Sequence, residues 1–121
     1  MSEIKPNIQN RTFNFATDIV RFYFSLENHI RLSAPAIQLL RSGTSIGTNT
    51  EEAQGALTKR DFVHCMNIAK KEARETAFWL KVWIAAKLPD HVNANVMLKE
   101  VEEIKNILTS IVKTAQKGLK L

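Results

Sequence analysis

Apolar and small residues recur at alternating spacings of four and three along most of this 121-residue chain. That rhythm limits the fold more than any other feature, because it keeps one face of an α-helix turned toward neighbouring helices. The first stripe runs Thr12, Ala16, Ile19, Tyr23, Leu26 and Ile30, widened by Phe15 and Phe22. The second, rich in small residues, runs Leu39, Gly43, Ile46, Thr50 and Ala53. A third runs Phe62, Met66, Ala69, Ala73, Thr76, Leu80 and Trp83, and a fourth Ala94, Met97, Val101, Ile104, Leu108, Ile111 and Ala115. No segment shows the strict alternation of a strand, and 4 glycines with 3 prolines are too few for a turn-rich sheet protein.

The boundaries between stripes carry helix punctuation. Ser33 and Pro35 open the second helix, Thr58 with Asp61 resembles a capping box for the third, and Pro89-Asp90 separates the third from the fourth. Gly118 marks the last helix end. The sequence therefore predicts an all-α, antiparallel, up-down four-helix bundle. Residues 1–10 are expected to be a flexible N-terminal arm, 11–118 a single bundle domain and 119–121 a short tail. Gly43 and Gly47, one turn apart, would weaken an exposed helix and so predict close approach of a neighbouring backbone.

Composition bears on function mainly by exclusion. One cysteine provides no disulfide framework. No apolar run reaches the roughly 20 residues of a membrane span, and the first ten residues lack a signal-peptide pattern, so no membrane association and a cytoplasmic location are expected. Asp61-x-x-His64 is half of a di-metal motif whose second half is missing, so no metal is expected. His64 and Cys65 diverge by about 100° around a helix and do not form a nucleophile–base pair. Gly43-x-x-x-Gly47 lacks the Gly-Lys-Ser/Thr of a phosphate loop. No cofactor, small-molecule substrate or catalytic set is expected, and the chain reads as a non-enzyme.

Three groups of residues invite a role. Arg41 and Glu52 on the second helix, with Glu72 and Glu75 on the third, read as a structural polar network that fixes helix register. The formal net charge is +5, and residues 59–87 hold seven basic and three acidic residues. Within that stretch Lys59, Arg60, Lys70, Arg74 and Lys81 are the candidate contacts to a nucleic-acid backbone. Phe13, Val20 and Phe24, with Phe78, Trp79 and Val82, are more apolar surface than one four-helix core absorbs, and they predict a homo-oligomer interface.

The stretch Leu40-Arg-Ser-Gly-Thr-Ser-Ile-Gly-Thr-Asn49, then Glu52-Ala53 and Ala56, resembles a known bacterial family. So do Lys59, Asp61-Phe62, Ile68-Ala69-Lys-Lys-Glu-Ala73, Glu75-Thr76 and Trp79-Leu80. The family is the four helix bundle protein family, also called the 23S rRNA intervening-sequence protein or S23 ribosomal protein family. The similarity covers about residues 38–84, and Thr48 and Thr50 depart from the Ala and Ile frequent in the family. The resemblance implies an up-down bundle, ring-like pentameric assembly and no enzymatic activity. It also implies kinship with a basic pentamer, the accessory protein of diversity-generating retroelements, that binds nucleic acid. A non-enzymatic homo-oligomer that contacts RNA or DNA through a basic face is the expectation. The alternative is an assembly or protein-interaction module without nucleic acid.

Overall fold

A computed structural model describes residues 7–119, and among these every regular element is helical. The elements are α1 (Ile8–Ser25), α2 (Asn28–Arg31), α3 (Ala34–Gln54), α4 (Lys59–Ala85) and α5 (His91–Lys117). α3 packs against α1 and α4, α5 packs against α4, and α1 touches α5 more lightly.

Five helices stand where four were expected, because the first stripe is interrupted. Leu26 and Glu27 take extended backbone angles between α1 and the single turn of α2. Leu26 is nevertheless buried and Ile30 half-buried, so both remain on the inner side across the break. Spacing alone does not see such an interruption. The Tyr23 hydroxyl donates to the Arg31 carbonyl at 3.0 Å and ties the end of α1 to α2.

α1 begins at Ile8, earlier than the expected domain start at 11, because the Asn7 side chain accepts the Gln9 N–H at 2.7 Å. The rest of the expected arm, 1–6, and most of the expected tail, 120–121, lie outside the described residues.

Among the other boundaries, Thr58 caps α4 by accepting the Asp61 N–H at 3.0 Å. Ser33 and Asp90 occupy the cap positions of α3 and α5 without side-chain cap bonds. The Ser33 hydroxyl turns back and donates to the Ile30 carbonyl at 2.6 Å.

The core follows the predicted seams closely. Ile19, Ile46, Met66, Ala69, Ala73, Leu80, Trp83, Val101, Ile104 and Leu108 are fully buried. Departures are few: Ala16 and Tyr23 on α1 and Phe62 at the start of α4 are half-buried, and the seam shifts at the end of α5. Ile111 and Ala115 are half-buried while Val112 is buried, since a 3.5-residue repeat drifts around a 3.6-residue helix.

Gly47 lies against the backbone of α1, where an added Cβ would be 3.3 Å from the Thr12 carbonyl oxygen. Gly43 instead faces a side chain, Ile19. The backbone approach expected at both glycines therefore holds at Gly47 alone. Ser42 and Thr76 are buried together between α3 and α4, with the Thr76 hydroxyl 3.0 Å from that of Ser42.

α3 is a poor helix former by its own sequence. Besides its two glycines, Thr44, Ser45 and Thr50 return their hydroxyls to carbonyls one turn back, at 2.8, 2.6 and 2.9 Å. Such bonds compete with the helix ladder, so packing supplies much of this helix's stability.

α4 ends in a Schellman motif. Leu88 N–H donates to the Trp83 carbonyl and Lys87 N–H to the Ile84 carbonyl. Lys87 holds the left-handed position with φ 57°, where glycine is normally preferred. Lys87→Gly should therefore stabilise the protein by about 0.5–1 kcal/mol, read as a higher urea midpoint at unchanged slope. A lowered midpoint would contradict this account of the turn.

Candidate nucleic-acid interface

α4 is the element on which the basic residues gather. Its inner side is occupied by the Met66–Trp83 seam, so positions 60, 71, 74, 78 and 81, at successive offsets of eleven, three, four and three, run along its outside. Arg60, Lys71, Arg74 and Lys81 are exposed there, Lys59 is exposed at the helix start and Lys70 is half-buried. From Arg60 to Lys81 this row spans about 30 Å at 1.5 Å per residue.

Lys59, Arg60, Lys70, Lys71 and Arg74 form no ion pair among the described residues. Lys81 Nζ is 3.7 Å from the Glu102 carboxylate, which is held more closely by Lys105 at 2.6 Å. That Lys105 hydrogen bond is the main reason the Glu102 carboxyl titrates below its ordinary range. Lys71 belongs with the exposed row although it was not among the predicted contacts. Its offset of three from Arg74 was the available signal.

The polar network is smaller than predicted. Arg41 lies 2.5 Å from the Glu75 carboxylate and 3.6 Å from that of Glu72. The Glu75 hydrogen bond, ahead of all other causes, raises the Arg41 pKa. One oxygen of Glu72 is buried without a hydrogen bond, whereas about half of the Arg41 side chain is exposed. Glu52 is exposed and takes no part among the described residues. It lies eleven residues beyond Arg41, about 16 Å along the helix, too far to share one guanidinium.

A second charge cluster escaped the sequence reading. The Arg11 guanidinium reaches Glu100 at 2.7 Å and Glu103 at 2.5 Å, joining α1 to α5. Hydrogen bonds to Glu100 and then Glu103 push its pKa upward. Arg11 is 89 and 92 positions from these two glutamates, so no local pattern links it to them.

The predicted interface residues divide into two sets. Phe13, Val20 and Phe24 are exposed along one row of α1. On α4, Phe78 is exposed while Trp79 and Val82 are half-buried, and Trp79 packs against the core. An open, mostly apolar cleft of about 550 Å³ lies between the start of α4 and the end of α5, lined by Lys59, Phe62, Ile111 and Ala115 among others. His29, His64 and His91 are all exposed, and no three potential metal-ligating side chains converge among the described residues. No described helix is long and apolar enough to cross a membrane.

A similar fold is found in a solved relative. The chain is similar to a protein of unknown function from the S23 ribosomal protein family of Bacteroides thetaiotaomicron, at 36% identity and a TM-score of 0.82. The match covers 88% of this chain and 99% of that one. No curated protein matches the sequence. The family model for 23S rRNA-intervening sequence proteins matches residues 5–110, which takes in α1 to α4 and most of α5. By that match and the likeness of fold and sequence, the chain belongs to the 23S rRNA-intervening sequence protein family.

Proposed function

We propose that this protein is a non-enzymatic, cytoplasmic homo-oligomer, built as an up-down four-helix bundle with α2 as an appendage, that engages RNA or DNA through the outer row of α4. The contact pattern supports the bundle topology. Thr12 meets Gly47 and Ile19 meets Gly43, so α1 and α3 run in opposite senses. Ser42–Thr76 across α3 and α4, and Lys81–Glu102 across α4 and α5, fit the same alternation.

The observation that carries the nucleic-acid reading is that Arg60, Lys71 and Arg74 are exposed in one row and form no ion pair among the described residues. Nearby carboxylates do not neutralise them, since Glu72 and Glu75 face Arg41, and Glu102 faces Lys105. Such a row suits a phosphate backbone, where charge gives affinity and base edges add no specificity. Lys70, half-buried, and Lys81, near Glu102, contribute less.

The exposed Phe13, Val20 and Phe24 row on α1 supports self-association, with a pentameric ring as the form suggested by the family resemblance. A second reading, an assembly module without nucleic acid, is favoured by Asp18 and Glu52. Both are exposed without an ion pair among the described residues, and in a ring they could neutralise a neighbour's α4.

Light scattering with and without RNA, and binding measured over a salt series, separates the two. Binding that weakens linearly in log affinity against log salt is expected, and Lys71→Ala or Arg74→Ala should each reduce the slope by about 1. No binding at low salt overturns the nucleic-acid reading and leaves the assembly module.

A further inference from the structure

Phe78 stands out within the cationic row. It is 56% exposed. Lys71 precedes it by seven residues, Arg74 by four, and Lys81 follows by three, so all three cations share its side of α4. Phe78 also meets Trp79 edge-to-face, with ring centroids 5.2 Å apart and planes at 77°. Trp79 is half-buried and packed on the core, so it braces the Phe78 ring while leaving it open to solvent.

We infer that Phe78, bracketed by Lys71, Arg74 and Lys81, is a stacking platform for an unpaired base, so that the nucleic acid taken by this face is single-stranded. The inference rests on the nucleic-acid reading above and specifies its substrate. A phenyl ring adds nothing to a rail of duplex phosphates, because a duplex keeps its base faces stacked on one another. A single strand presents both a phosphate for each cation and a base face for the ring, and stacking of this kind tolerates any sequence. A second copy of the chain suits the site less well. Centres of protein interfaces are depleted in charge, and docking an apolar surface on Phe78 would desolvate Lys71 and Arg74, which have no ion pair among the described residues, together with Lys81.

The test uses the full chain, a single-stranded oligonucleotide of mixed sequence and the blunt duplex of the same sequence, with fluorescence anisotropy at fixed low salt. The single strand should bind more tightly. Phe78→Ala should lower its affinity by roughly 5- to 150-fold, the equivalent of one lost base stack, and collapse the preference over duplex. Phe78→Trp should retain the preference, and the salt slope should stay the same because no charge is removed. Equal affinity for the two forms, or an unaltered preference in Phe78→Ala, overturns the inference while leaving the nucleic-acid reading intact. Loss of assembly in Phe78→Ala, seen by light scattering, overturns it by assigning the ring to a subunit contact. Absence of binding to either form fails the underlying reading instead, and this inference with it.

Discussion

Trp83→Ala is expected to cost about 3–5 kcal/mol, the largest loss of any single truncation in the core. Trp83 is fully buried at the end of α4, and its ring meets Phe22 edge-on at 5.3 Å. Its indole N–H donates to the Pro89 carbonyl at 2.8 Å, and its own carbonyl accepts the Leu88 N–H. The side chain thus joins α1, α4 and the turn into α5. Deleting it opens a cavity and leaves the Pro89 carbonyl without that donor. Trp83→Phe keeps most of the volume and loses the donor, so a smaller loss of about 1–3 kcal/mol is expected. Urea unfolding followed by circular dichroism gives both values. A loss below about 1.5 kcal/mol for the alanine variant would show that the site collapses around the gap or that the ring is not an anchor.

Gly43→Val should be nearly as damaging, at about 3 kcal/mol, and Gly43→Ala should cost about 1 kcal/mol. Two effects oppose each other at this position. Alanine improves helix propensity by about 1 kcal/mol, while overpacking typically costs about 1–3. An added Cβ would sit 2.8 Å from Cγ1 of Ile19 and 3.1 Å from both Cδ1 and Cγ2. Ile19 is itself completely buried and β-branched, so it has little freedom to retreat. Overpacking therefore wins.

A double-mutant cycle isolates the cause. Ile19→Ala alone removes core volume and destabilises, but the pair Gly43→Ala with Ile19→Ala should be more stable than the sum of the single losses. Additive values within about 0.5 kcal/mol would mean that the two positions do not meet. Gly47→Ala is a useful companion, because its new Cβ would press on the Thr12 carbonyl and require α1 and α3 to separate slightly.

The seams were legible because burial imposes a period on the sequence, and a helix that keeps its period keeps its inner face. Leu39, Ile46, Met66, Leu80, Val101 and Leu108 were assigned to the core on spacing alone and are all buried. The break after Ser25 was invisible for the same reason, since Leu26 and Ile30 keep to the inside on both sides of it. Glu52 shared the expected side of α3 with Arg41, yet angular position says nothing about the roughly 16 Å between them along the axis. The Arg11 clasp depends on which helices become neighbours and on their relative height, neither of which leaves a trace near Arg11. Phe78 is different. Its offsets from Lys71, Arg74 and Lys81 were present in the sequence, but only its exposure separates it from half-buried Trp79 next to it.

The weak local helicity of α3 has a consequence in time. Its glycines and back-bonding hydroxyls give it little reason to coil before its neighbours are in place. α4 and α5, by contrast, are 27 residues each and joined by a short turn, so they can pair through contacts close in sequence. A C-terminal helical hairpin is therefore expected to form first, with α3 ordering afterwards between α4 and α1, so that its shape depends on being clasped from both sides.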